Sequence, residues 1–280
     1  MIMVMDKTLL GVCLFIVGLC LGSFVNAAIW RIKHKKDLLF GRSECTKCHY
    51  KLGILDLIPV VSWLSLGGRC RKCNTRISTQ YPLVELATGA LFVASLAFWP
   101  FSFATVPHLI LFCLWLCACV TLVFLFVYDL KWLILPDKAV VILCLIGLGM
   151  TIVYGIDAQS MIQFLQNLVF SLLILSGFYL LLYMYSKGKW IGFGDVKLGV
   201  GLALLLCNWQ LALIALFLAN LFGTLVFTPL MVMQKVKRTS HIPFGPFLIA
   251  GTIVAMLWGQ SIVEWYNAVV YIGITPNQLY

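Results

Sequence analysis

Apolar runs of membrane-spanning length recur along the chain, separated by short polar stretches. A helix that crosses a bilayer needs about 20 mostly apolar residues, and the runs at 8–30, 83–101, 107–127, 138–154, 161–184, 196–207, 210–232 and 243–270 are read as spans. The pattern predicts an all-α polytopic membrane protein of about eight transmembrane helices. The sixth run, at roughly 12 residues, is too short for a straight span, so it is a half-helix or the total is seven. The first run is longer than the apolar core of a signal peptide and no A-x-A site follows it, so it is read as a retained span. Ser23 and Asn26 within it fit helix packing or interhelical hydrogen bonding.

Composition agrees with the pattern. The chain is 62% hydrophobic and 11% charged, with a mean hydropathy of +1.02, which leaves no room for a soluble globular reading. All but Lys7 of the 20 Lys and Arg fall in the stretches 31–82, 129–137, 185–195 and 233–242 or within a few residues of them. Eight spans and an outside N-terminus put these loops on one side, which the positive charge marks as cytoplasmic. The net charge of +10 is then a topology signal with contact to membrane lipids. A nucleic-acid reading finds no binding module. Three regions follow: a first transmembrane helix at 1–30, a cytoplasmic loop at 31–82 and a transmembrane core at 83–280.

The loop carries Cys45-Thr46-Lys47-Cys48 and Cys70-Arg71-Lys72-Cys73, two C-x-x-C pairs with residues 49–69 between them. That approaches zinc-ribbon spacing, and cytoplasmic thiolates meet zinc more readily than each other. Four thiolates close the coordination shell, so the zinc would fold the loop rather than do chemistry. The flanking Lys47, Arg69, Arg71 and Lys72 are expected to lower the thiol pKa values. The alternative is four unligated cysteines; the other seven read as small buried hydrophobes. His34, His49, His108 and His241 form no ligand pattern, and His49 is at most a reserve ligand. Between the pairs, Asp56-Leu57-Ile58-Pro59-Val60-Val61-Ser62-Trp63-Leu64 has two open readings. It lies in the membrane interface with Trp63 at headgroup level, or it forms the core of the zinc loop.

Two aspartates sit where apolar segments end. Asp129 closes the third span before Leu130-Lys131-Trp132-Leu133-Ile134-Leu135-Pro136-Asp137, and Asp195 belongs to Gly192-Phe193-Gly194-Asp195-Val196-Lys197. Burying an unpaired carboxylate is costly, whereas two carboxylates held close share a proton and activate water. The glycines on either side of Phe193 are expected to allow backbone angles closed to other residues. Asp195 alone also reads as a helix N-cap, Asp137 reads as a cap after Pro136, and Asp129 alone reads as an interfacial residue beside Lys131. Depth, side and motif shared by Asp129 and Asp195 favour the catalytic reading.

On these stretches the chain resembles the prepilin peptidases, bacterial leader peptidases and N-methyltransferases of type IV pilus and type II secretion systems, which are G-x-G-D aspartic peptidases. The resemblance also rests on Gly18-Leu19-Cys20-Leu21-Gly22-Ser23-Phe24-Val25-Asn26, Tyr81-Pro82-Leu83-Val84-Glu85-Leu86 and Ile242-Pro243-Phe244-Gly245-Pro246-Phe247. It implies Asp129 and Asp195 as the catalytic pair, supported by Gly192, Gly194 and Lys197. It implies removal of the basic leader of prepilins or pseudopilins after a Gly, at the cytoplasmic face of the bacterial inner membrane. It further implies methylation of the new N-terminus with S-adenosylmethionine, for which no binding residue is assigned. Thr46 stands where many members have Pro, and Asn74 where many have Gly. Glu44, Asp56 and Glu85 are the acids nearest to steer a basic leader, although Glu85 also reads as a first-turn helix acid. A transporter and a non-catalytic zinc-knuckle assembly factor are the rival classes.

Overall fold

A computed structural model describes residues 7–37, 41–233 and 243–274. The basic loop 233–242 therefore lies outside the described residues apart from Met233, as does Ile242. Among the described residues the chain is helical and has no strand. Its helices are α1 (Lys7–Lys33), α2 (Val61–Ser65), α3 (Gln80–Ala97), α4 (Val106–Trp132), α5 (Asp137–Asp157), α6 (Met161–Leu172), α7 (Phe178–Ser186), α8 (Phe193–Leu206), α9 (Trp209–Val232) and α10 (Gly245–Ile274). A five-residue π turn, Leu173–Gly177, joins α6 to α7. Among the described residues seven stretches are long and apolar enough to cross a membrane, with Met161–Ser186 counted as one, which fits a multi-pass membrane protein. The short sixth run is α8, whose 14 residues extend only about 21 Å.

The chain forms two compact units, Met1–Ala97 with Cys119–Val127, and Phe98–Ala118 with Tyr128–Tyr280. In the first, α1 and α3 pack antiparallel through small residues. A Cβ on Gly18 would fall 2.7 Å from the Gly89 Cα, and one on Gly22 would fall 2.7 Å from the Glu85 Cα. Helix backbones at that separation gain dispersion contact that larger side chains would prevent. The Asn26 amide donates to the Tyr81 carbonyl at 3.1 Å and accepts from Gln80 at 3.1 Å, so it serves helix packing as its place in the span suggested.

The second unit is built around α8. Val196, Leu198, Gly199, Gly201, Leu202, Ala203, Leu205 and Leu206 are all buried, too many for a single apolar stripe. Gly199 lies directly against the Leu175 carbonyl of the π turn, and a Cβ on Gly147 of α5 would meet the Gly201 carbonyl at 3.1 Å. The hydroxyls of Ser171 and Ser176 donate to the carbonyls of Ala203 and Val196 at 3.2 and 3.0 Å, which sets α6 and the π turn antiparallel to α8. Cys207 ends α8 in the left-handed region (φ 46°). The Asn208 side chain then caps α9 by accepting from the Gln210 and Leu211 amides. Two residues thus separate the end of α8 from the start of α9.

Candidate active site and metal centre

Asp129 lies in the last turn of α4, where the backbone ends the helix with Leu133 left-handed (φ 55°) and its N–H bonded to the Asp129 carbonyl at 2.8 Å. A carboxylate there sits at the negative end of the α4 dipole, and its surroundings offset this. The side chain is 5% exposed and faces the backbone N–H of Gly245, the first residue of α10, whose positive dipole end suits an anion. A Cβ at Gly245 would fall 2.7 Å from Asp129 Oδ2. Only glycine lets the α10 N-terminus come this close.

Asp195 is the third residue of α8 and Gly192 is the N-cap. The expectation that Asp195 could be the cap is therefore corrected: it occupies the position that reaches back toward the cap, and its carboxylate faces the Gly192 N–H, half of a capping box. The role expected for the glycines is also corrected. Gly192 has an ordinary φ of −74°, and Gly194 is not among the positive-φ residues. Gly194 instead provides space, since a Cβ there would lie 3.3 Å from Leu135 Cδ1. The G-x-G spacing lets the segment after α4 close onto the start of α8.

The two carboxylates line one cleft of about 460 Å³ together with Leu133, Ile134, Leu135, Pro136, Asp137, Gly192, Phe193, Gly194 and Lys197. Like charges that share a cleft resist double ionisation. Lys197 donates to Asp137 at 2.8 Å. Asp137 is the first helical residue of α5 and Pro136 holds the cap position, which corrects the cap reading of Asp137; its carboxylate accepts from Lys197. A nearby hydroxyl was not anticipated. Tyr179 of α7 is 1% exposed, and its ring lies tilted at 52° to that of Phe244 with centroids 5.5 Å apart.

In the first unit the four cysteines converge. The sulfurs of Cys45, Cys48, Cys70 and Cys73 all lie within 4.8 Å of one another, with Cys45 and Cys73 at 3.8 Å and Cys48 and Cys70 at 4.0 Å. A tetrahedral ion with metal–sulfur bonds of about 2.3 Å needs sulfur–sulfur edges of about 3.8 Å, so the cluster fits a metal. These separations are too long for disulfides. Each pair has the same local fold. His49 N–H donates to the Cys45 carbonyl and Asn74 N–H to the Cys70 carbonyl, at 3.0 and 2.9 Å, with His49 and Asn74 both left-handed (φ 54°). Asn tolerates that conformation, so it can replace Gly at position 74. His49 faces Glu44 at 3.6 Å and is not among the clustered ligands. The thiols do not all move the way expected from the flanking bases: the Thr75 hydroxyl and then the Thr75 backbone push Cys73 down, whereas Cys48 is pushed up. Arg71 is committed elsewhere, to Asp56 at 2.8 Å, and its guanidinium holds the Asp56 carboxyl below its ordinary range.

The acids considered for steering a leader are likewise occupied. Glu44 pairs with Lys36 at 2.8 Å and Asp56 with Arg71. Glu85 is buried, and it lies in the second turn of α3 rather than the first. Its carboxylate accepts from the Val60 N–H at 2.7 Å.

Residues 16–99 match the bacterial peptidase A24 N-terminal domain, and residues 116–228 match the type IV leader peptidase family. The prepilin leader peptidase/N-methyltransferase of Aeromonas hydrophila is 30% identical over 276 residues, covering 90% of this chain and 92% of the relative. The chain belongs to the type IV leader peptidase family. Other members of the family with the same description come from Stutzerimonas stutzeri, 31% identical over 279 residues (91% of this chain, 92% of the relative), and Bacillus subtilis strain 168, 29% identical over 255 residues (90% and 96%). No solved structure matches the chain. As a type IV leader peptidase the chain is an enzyme, and neither the transporter nor the assembly-factor reading has support. Gly245, which faces Asp129, lies beyond both matched segments.

Proposed function

We propose that the protein is a membrane-embedded aspartic endopeptidase that removes the basic leader of type IV prepilins or pseudopilins after a Gly. The step takes place at the cytoplasmic face of the bacterial inner membrane. The observation that carries the reading is the meeting of Asp129 and Asp195, 66 positions apart (195 − 129), in one cleft. One carboxylate, ionised, takes a proton from water as the water oxygen bonds to the scissile carbonyl carbon. The other, protonated, donates to the carbonyl oxygen. Collapse of the tetrahedral intermediate breaks the C–N bond, and the amine leaves with a proton returned by the pair. The two groups titrate as a unit, so the division of roles belongs to the pair.

In this reading the 31–82 loop is a zinc-folded domain between the first span, 1–30, and the peptidase core, 83–280. Cys45, Cys48, Cys70 and Cys73 would hold one zinc ion, whose contribution is to the fold. Gly192, Gly194 and Lys197 support the aspartate cleft. S-adenosylmethionine is the methyl donor for the freed N-terminal amine, a step supported by the names of the relatives. The test is to incubate the detergent-purified chain with a prepilin, with and without S-adenosylmethionine, and weigh the products. Leader loss in both samples is expected, with a 14 Da increment only where the donor is present, 14 Da being about the mass of one transferred methyl less the amine hydrogen it replaces. An intact prepilin would overturn the peptidase reading, and cleaved but unmodified pilin would restrict the enzyme to proteolysis.

A further inference from the structure

The segment between the cysteine pairs combines parts of the two sequence readings. Trp63, the expected headgroup anchor, is turned into the loop: its indole donates to the Ile77 carbonyl at 3.2 Å and its ring packs on Gly68. The aliphatic residues turn outward. Ile54 is 87% exposed, Leu55 70%, Leu64 64% and Val61 58%, with Leu57 and Ile58 also exposed. Such a cluster within eleven positions (54–64) is unusual for a surface bathed in water.

Its depth can be read from the register of α1 against α3. Glu85 packs level with Gly22, nine residues before Arg31, one of the two basic residues in the last turn of α1. At 1.5 Å per residue that is about 13 Å, less the backward lean of a helical glutamate side chain. The Val60 N–H is bonded to that carboxylate. Val60 therefore lies well below the level at which Arg31 and Lys33 would meet the headgroups, a zone only about 5–7 Å thick on each side.

No amide of the turn at Pro59-Val60-Val61 is left unbonded. Irregular backbone survives in a bilayer only when its polar groups are satisfied. Val60 adopts φ 62°, ψ −51°, a strained conformation for a β-branched residue, closed by a 2.6 Å bond from Val61 N–H to the Pro59 carbonyl. The buried Glu85 carboxylate takes the one amide that this turn leaves free, and Ser23 lies beside it. Pro59 has no N–H to satisfy. The Ser62 and Leu64 amides bond within the segment, at 3.1 and 3.0 Å.

We propose that residues 54–64 dip into the leaflet, with Ile54, Leu55, Leu57, Ile58, Val61 and Leu64 in contact with phospholipid acyl chains. Glu85 holds the segment at that depth. Protruding, widely exposed side chains suit fluid acyl chains, which conform to any surface, whereas a bound peptide needs a groove. Asp56, the one acid inside the segment, is 5% exposed at its side chain and paired with Arg71 at 2.8 Å.

The test places a photoreactive benzoylphenylalanine at Leu55 in the full chain, reconstituted in phospholipid nanodiscs, with the same group at Leu145 of α5 (62% exposed) as a lipid-facing control. Illumination is expected to give a phospholipid adduct on the peptide containing position 55, seen by mass spectrometry, whether or not a prepilin is present. A prepilin adduct, an adduct to this chain, or no adduct at 55 while position 145 labels would each overturn the proposal. The readout does not depend on cleavage, so an inactive preparation leaves the outcome interpretable.

Discussion

The cysteine centre and the aspartate cleft are assembled by opposite strategies. The cysteine centre is local and repetitive: two C-x-x-C pairs, each followed by a left-handed residue, each bonded back to its first cysteine, arise from short stretches of chain. The cleft is non-local. It needs the end of α4, the start of α8 and the start of α10 to arrive together, and no one of these segments contains both acids. Local assembly can fail without disturbing the spans, whereas small displacements of packed helices would damage the cleft.

If the four cysteines hold zinc as proposed, removing it should break the first half of this contrast. Structural zinc contributes roughly 10–16 kcal/mol of binding free energy that is also folding free energy. Chelation, or Cys45→Ser with Cys73→Ser, should order-to-disorder the 41–79 region while α1 and α3 keep their helicity. Hydrogen exchange should therefore rise in that loop and stay slow in the spans; a uniform rise across both would show that the loop and the helices fold as one. The second test addresses the cleft. Asp129→Asn and Asp195→Asn should each reduce cleavage by at least about 10³-fold, because an amide supplies neither the base nor the acid. The folded chain should be retained, and thermal melting checks that. Substantial residual cleavage in either variant would separate that residue from the chemistry.

What was legible in the sequence follows the same division. The cysteine centre was readable because its determinants are adjacent, and the spans were readable because a bilayer imposes length and apolarity on each one separately. The short run at 196–207 could not be assigned from its own residues. Its place is explained by what surrounds it, since Gly199 and Gly201 let α8 sit against the π turn and α5, inside a unit whose membrane-length stretches are all longer. The aspartates were identifiable from their motifs, but the group facing Asp129 was not. Gly245 contributes a backbone N–H and an absent side chain, and neither leaves a chemical signature in a sequence. The role of Glu85 was hidden for a related reason, because its partner is the backbone of Val60 rather than a side chain.

Gly245→Ala tests how finely the non-local assembly is tuned. The added methyl would lie 2.7 Å from Asp129 Oδ2, so either the carboxylate or the α10 N-terminus must shift. Misplacement of a reacting group by about 1 Å costs up to about 100-fold. A loss of about 10- to 100-fold in kcat is expected, with little change in helicity, since alanine is at least as good a helix former as glycine. Unchanged kcat would mean that Gly245 only fills space beside the acid.

Lys197→Met should have the smallest effect, and it separates two roles that the motif leaves combined. The Lys197–Asp137 pair is short at 2.8 Å, but its side chains are 40% and 73% exposed, and exposed pairs contribute about 0–1 kcal/mol. If Lys197 only joins α8 to the start of α5, the variant should melt within a few degrees of the parent and lose no more than about fivefold in cleavage rate, the kinetic equivalent of that energy. Both sides of the pair should then behave alike, with Asp137→Asn reproducing the Lys197→Met result. A much larger loss for Lys197→Met than for Asp137→Asn would mean that the lysine acts on the aspartates themselves, as a positive charge two residues from Asp195 could. The cleft would then owe part of its electrostatics to its own short motif, and the contrast with the self-contained cysteine centre would narrow.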